Sequence, residues 1–301
     1  RIYKGVFAAG FAGTSIENWT VNSDNNLIKD HNYEENELIK YSTTDPEDKT
    51  SSIYKDKTGK TIIKVNEENG ASIRYVYDNY GRLRYVMSPL AIENMTGSQY
   101  DPNSDLVKKY CYYYEYDEKH RLITKQLHGK APVYLRYDSY DRLRMTQDVN
   151  QRDDSLWYYI NYDAFDRVIS TGTADLEKDS IIHGDTIVDP SPIRGITAYL
   201  TYSYYDDYDF IRDDSLLFDS SLAYHEKFNR IRGKATGSKE RVMDGNETWL
   251  TSVVYYDKYG RIIQTISKNN VGGYDIKSIK YNFAGEVLET KHKHTSSSEV
   301  K

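Results

Sequence analysis

Residues able to do chemistry are present in this chain but are not arranged to do it. Seven histidines, His31, His120, His128, His183, His225, His292 and His294, are scattered without a serine or cysteine nucleophile at a recognisable spacing. Gly-x-Ser-x-Gly, His-Glu-x-x-His and a glycine-rich phosphate loop do not occur. His292 and His294 would share one face of a strand, which is half a metal site, but no third ligand follows at a suitable spacing. Asn22-x-Asp24-x-Asn26 starts like a calcium loop, then places Leu27 where glycine is required. Asp206, Asp207 and Asp209, with Asp213-Asp214 close behind, read as turn-forming aspartates. The one cysteine, Cys111, has no partner for an internal disulfide and sits among alternating tyrosines as a small strand residue. The expectation is a non-enzyme without metal or cofactor.

Two residue classes remain as binding candidates. Trp157 and Trp249 carry broad rings that stack well on sugar faces and form the candidate ligand platform; Trp19 is a third such ring. Arg82, Arg121, Arg142, Arg167 and Arg261 recur at one position of a repeated phrase and could line an anion or glycan groove. The alternative is architectural: each arginine stacks on a neighbouring tyrosine and pairs with a carboxylate of the next hairpin. A pattern present in every unit tracks architecture more than any single site, so the second reading is preferred.

The elements that position these residues follow from that phrase, Tyr-Asp-x-x-Gly-Arg-aliphatic. It reads Tyr77-Asp78-x-x-Gly81-Arg82-Leu83 and again Tyr256-Asp257-x-x-Gly260-Arg261-Ile262. Variants begin at Tyr116-Asp117, Tyr137-Asp138 and Tyr162-Asp163, with His120, Asp141 and Asp166 in place of glycine. Weaker copies begin at Asp56, at Tyr205-Asp206 (with Asp209) and at Tyr281-Asn282. Aspartate accepts from amides a few residues on and starts a turn, and glycine three residues later supplies positive φ. Asp and His tolerate the same left-handed region. The flanks alternate with period two: Ile73, Tyr75 and Tyr77; Tyr110, Tyr112, Tyr114 and Tyr116; Val133, Leu135 and Tyr137; and, after the turn, Leu83 with Tyr85 and Leu143 with Met145. Each unit is therefore strand, tight turn, strand. Successive units from Tyr116 to Tyr137 to Tyr162, and from Tyr256 to Tyr281, lie 21 to 25 residues apart. A hairpin cannot bury an apolar face alone, so the units must stack edge to edge.

Composition agrees. Only 38% of residues are hydrophobic, yet there are 31 tyrosines, whose rings pack while their tips stay wet. A net charge of −6 argues against nucleic acid, and no stretch approaches the roughly 20 apolar residues of a membrane span. The expected organisation is an irregular β segment over 1–50, a repeat array over 51–293 and a disordered tail over 294–301. The array carries loop insertions near 95–105, 176–196 and 206–250.

From about Asp56 to Thr290, and most closely over Tyr77–Pro89 and Val254–Thr265, these residues resemble the YD-repeat or RHS-type proteins, particularly the long repeat proteins of Bacteroidetes. The resemblance implies an all-β fold of stacked antiparallel hairpins forming a curved or spiral sheet, a partial shell. It also implies a structural scaffold within a larger extracellular or cell-surface polypeptide. The partners it implies are the rest of that polypeptide and either an enclosed C-terminal effector or a surface glycan; a carbohydrate- or protein-binding module is the alternative. Toxin-delivering members end the shell with Asp-Pro-x-Gly-Leu, where self-cleavage occurs. Here Asp45-Pro46, Asp101-Pro102 and Asp189-Pro190 do not continue to Gly-Leu, so cleavage is not carried over. The last copy, Tyr281-Asn282 with Glu286 for arginine, reads either as a capping unit, since terminal repeats are atypical, or as an interrupted one whose edges self-associate weakly; the second is preferred.

Overall fold

The Tyr-Asp phrases at Tyr77, Tyr116, Tyr162 and Tyr256 each close an antiparallel hairpin. A computed structural model describes residues 16–175, 193 and 195–297, together with the backbone of strand 4–8. Gly81 and Gly260 have φ of 77° and 75°, and His120, Asp141 and Asp166 take the same conformation at 63°, 64° and 63°. That is the left-handed residue that completes a type I turn and admits a bulge.

The bulge changes the faces. Tyr77 pairs with Leu83 while Val76 pairs with Tyr85, so Arg84 is an extra residue and the alternation slips by one. Leu83 stays with Tyr77 on the half-exposed face, but Tyr85 turns inward and is fully buried, contrary to the shared face expected for Leu83 and Tyr85. The same slip follows Tyr116, Tyr162, Tyr256 and Tyr281.

The described residues form two compact units, one holding those up to Tyr137 together with Thr146–Asp154, the other Asp138–Met145 and those from Ser155 on. In the first, β1 (Lys4–Ala8), β2 (Glu17–Val21), β3 (Leu27–Asn32), β4 (Leu38–Thr44), β5 (Thr50–Lys55), β6 (Thr61–Asn66), β7 (Ser72–Tyr77) and β8 (Leu83–Met87) precede β9 (Gln99–Tyr100), β10 (Cys111–Tyr116), β11 (Leu122–Gln126) and β12 (Val133–Tyr137). Strands β1, β4, β5, β6, β7, β8, β10, β11 and β12 pair antiparallel in that order. A separate sheet, β2–β3–β9, and helices α1 (Pro89–Asn94) and α2 (Asp105–Tyr110) pack on its inner face. Trp19 and Leu27 there meet Val76, Tyr85, Met87, Val107, Cys111 and Tyr113 in one core. The helices have local causes: Ser88 caps α1 through its hydroxyl, with Pro89 in the first turn. Tyr110, expected on the strand with Tyr112, closes α2 instead, and the insertion near 95–105 contains β9.

The second unit holds β13 (Leu143–Gln147) through Met145, then β14 (Leu156–Tyr162), β15 (Val168–Asp175), β16 (Ile196–Asp206), β17 (Ile231–Arg241), β18 (Trp249–Tyr256), β19 (Ile262–Lys268), β20 (Tyr274–Tyr281) and β21 (Val287–His294). From β14 on, neighbours in sequence pair antiparallel. A third short helix, α3 (Val149–Asp153), belongs to the first unit and is closed by a capping box between Asp148 and Gln151. The insertion after Asp206 lies across the sheet. Leu216 joins Val253, Tyr255, Ile263 and Ile266 in the core, with Tyr208, Phe210, Ile211, Phe218 and Leu222 packed against them. Tyr255 donates to the Leu216 carbonyl at 2.6 Å and pins the insertion down. Each unit is thus all-β repeat sheet on one side and non-repeat cover on the other.

Of the insertion expected near 176–196, residues 176–192 and 194 lie outside the described residues, as do 298–301 of the tail. Up to Ser297 the tail is hydrogen-bonded: β21 runs to His294, the Thr295 amide donates to the Tyr274 carbonyl and the Ser297 amide to that of Val271. Among the described residues no helix is long and apolar enough to cross a membrane.

Candidate functional site

Asp78 shows what the phrase builds. Its Oδ1 accepts from the amides of Tyr80 and Arg82 at 3.0 and 2.9 Å, and its Oδ2 accepts from Arg82 Nε at 2.8 Å. Asp138, Asp163 and Asp257 repeat all three bonds within 0.2 Å, and Asp117 shares those to Arg121. The arginine is thereby held against its own turn, and its guanidinium reaches the next hairpin.

There it covers a tyrosine. Arg82 lies 5.1 Å from the Tyr116 ring centre, Arg121 4.9 Å from Tyr137, Arg142 4.7 Å from Tyr162, Arg167 4.3 Å from Tyr205 and Arg261 4.8 Å from Tyr281. Each tyrosine hydroxyl donates back to the carbonyl of the residue after that arginine: Leu83, Leu122, Leu143, Val168 and Ile262, at 2.7 to 3.1 Å. Lys60 over Tyr77 and Lys234 over Tyr256 make the same arrangement with an ammonium, the hydroxyls reaching Thr61 and Ala235. So the motif fastens hairpin to hairpin. The carboxylate partner expected in the next hairpin is found for Arg142 (Asp166) and Arg167 (Asp206); Arg82 and Arg261 reach the carbonyls of Asp117 and Asn282 there. The aspartate each arginine always engages belongs to its own turn.

Electrostatics follow. Burial pushes the carboxyls of Asp78, Asp163 and Asp257 up, but the amide and guanidinium donors outweigh it and hold each below the usual range. A group depressed on folding contributes stability above its unfolded pKa of about 4 and loses it as pH falls through the folded value. The urea midpoint is therefore expected to hold from about pH 7 to about pH 5 and drop steeply below about pH 4; a midpoint insensitive to that acid step would deny these turns their ionic part.

Gly233-Lys234 is the missing half of the Tyr205-Asp206 copy. Asp209 was the expected turn residue, but the Gly233 amide donates to Asp206 Oδ1 at 2.5 Å and Tyr205 pairs with Ala235, so the insertion splits the motif between Asp206 and Gly233. Asn22, Asp45 and Asn269 form the same turn without the Tyr-Asp phrase, each accepting from the amides two and four residues on. The signal that marks them is Asn or Asp three residues ahead of Asn25, Asp48 or Gly272, all with positive φ.

The other candidates are dispersed. Trp157 is buried on β14; Trp249 opens β18 half-buried, 5.4 Å from the Tyr202 ring. They are not brought together on one surface, and Trp19 belongs to the first unit's core. His120 is a turn residue beside Arg82, His225 accepts from the Tyr281 amide, His294 contacts Asp275, and His183 lies outside the described residues. Burial pushes the Cys111 thiol up to about 12, which removes it as a nucleophile. Among the described residues no three His, Cys, Asp or Glu side chains gather as a metal ion would need.

No family model and no curated protein matches the chain. Among solved structures it is similar to the crystal structure of TcdB2-TccC3-TEV, at 11% identity and a TM-score of 0.35 over 96% of this chain and 18% of that one. It is also similar to TcdB2-TccC3-Cdc42, at 12% identity and a TM-score of 0.31 over 92% of this chain and 19% of that one. The chain spans about a fifth of the length of the solved chains it matches.

Proposed function

We propose that this chain is a non-enzymatic scaffold, a run of hairpins fastened serially by arginine and tyrosine, within a larger extracellular or cell-surface polypeptide. One observation carries the reading: the repeated arginines, which would otherwise make an anion groove, are engaged by their own aspartates, the next tyrosine ring and the next turn. Its partners are the rest of that polypeptide and, as the resemblance to YD-repeat proteins suggests, an effector enclosed by the array.

Arg167→Lys is the test. Lysine keeps the charge but not the bidentate contact to Asp206 or the guanidinium over the Tyr205 ring. The scaffold reading expects a lowered urea midpoint and unchanged binding to sulfated or sialylated glycans. Unchanged stability with weakened anion binding would make the arginines a ligand groove instead.

A further inference from the structure

The first unit contains a polar cavity that the fastening motif does not use. It measures about 260 Å³ and lies between the β2–β3 turn, the loop before α2, and strands β10 to β12. Asp24, Asp101 and Asn103 stand exposed at its mouth, Glu115 is half-buried on its wall, and Tyr113, Thr124 and Gln126 are buried at its floor. No lysine or arginine lines it, which disfavours an anion.

Two features mark it as built to hold something. Gln126 is only 3% exposed, and its amide nitrogen has no hydrogen-bond partner. A buried unpaired donor is costly, and native proteins carry few of them. The wall is also set in place from behind. Arg84 donates to Asn25 Oδ1 at 2.6 Å, and Asn25 Nδ2 donates to Glu115 Oε1 at 3.1 Å, fixing a carboxylate toward the cavity through residues far apart in the chain.

The chemistry of the lining selects the ligand. Asp24, Asp101 and Glu115 do not converge on an ion-sized point, so they serve a larger molecule with several donors. Gln126 as placed is a donor and needs an acceptor, which an ammonium group lacks. A hydroxyl both donates to a carboxylate and accepts from an amide. We propose that this cavity binds a single neutral pyranose, its hydroxyls donating to Asp24, Asp101 and Glu115 and accepting from Gln126. This site is independent of the five repeated arginines and of Trp157 and Trp249.

The experiment is saturation-transfer NMR and calorimetry on the whole chain with methyl pyranosides of the common hexoses, N-acetylglucosamine and putrescine. One or more sugars should bind with a Kd on the order of 1 mM, as expected of so few contacting atoms. Gln126→Leu should weaken that binding at least about tenfold while leaving the urea midpoint unchanged or higher, because it removes an unpaired buried polar group. Asn103→Ala, at the exposed mouth, should weaken binding without touching the core and serves if Gln126→Leu folds poorly. Any of three results overturns the proposal. They are no sugar bound up to about 20 mM, sugar binding untouched by either substitution, and binding of putrescine in place of sugars.

Discussion

Asp257→Ala is expected to lower the unfolding free energy by about 3–5 kcal/mol, the range for removing one partner of a buried ionic contact. Asp257 is 4% exposed. Its two oxygens receive the Tyr259 and Arg261 amides at 2.9 and 3.0 Å and Arg261 Nε at 2.7 Å. Alanine removes the acceptor of all three donors and frees Arg261, whose guanidinium lies 4.8 Å from the Tyr281 ring centre. The damage therefore reaches the next hairpin. Asp257→Asn keeps Oδ1 for the two amides but loses the charge and replaces Oδ2, the acceptor of Arg261 Nε, with an amide donor, so it should spare the backbone part and cost roughly half as much. Urea unfolding of the three proteins measures this directly. A loss under about 1 kcal/mol for alanine would mean the turn stands on its backbone bonds alone.

Gly172→Ala should destabilise by about 2–3 kcal/mol despite adding one methyl group. Gly172 sits mid-strand in β15, opposite Tyr159 of β14 and Tyr199 of β16. A Cβ there would lie 2.1 Å from the Ala198 carbonyl oxygen and 2.8 Å from the Tyr159 ring. The ring can be displaced only at the expense of a fully buried tyrosine, and the carbonyl only by parting β15 from β16. This glycine is required for close approach, since its φ is not in the positive range. Combining the change with Tyr159→Leu should recover part of the loss by opening the ring side. A melting temperature unchanged in Gly172→Ala alone would show that the two strands are not so tightly apposed.

Gly172 marks a boundary between what is local and what is not. The turns were legible because everything they need lies within a few residues. Asp at the first position, a residue tolerant of positive φ at the fourth and arginine at the fifth close their own hydrogen bonds, as Asp78, Gly81 and Arg82 do. The all-β class and the antiparallel hairpins followed from the same local rules. The faces did not, because the bulge after each turn inserts one residue and reverses the alternation, carrying Tyr85 inward where period two kept it with Leu83.

The hairpins, their order and the turn chemistry could be read from the residues alone, because short-range hydrogen bonds and sterics act within each repeat whatever surrounds it. Tertiary structure alone decided what covers the sheets: Trp19 and Leu27 over one, Leu216 and its insertion over the other. It also placed Trp157 in the interior, joined Asp206 to Gly233 across an insertion, and brought Asn25 to Glu115, 90 residues away, at the wall of the cavity. Such contacts depend on which apolar surfaces remain to be buried once the hairpins have stacked. That is a property of the whole chain, with no signature in any one segment.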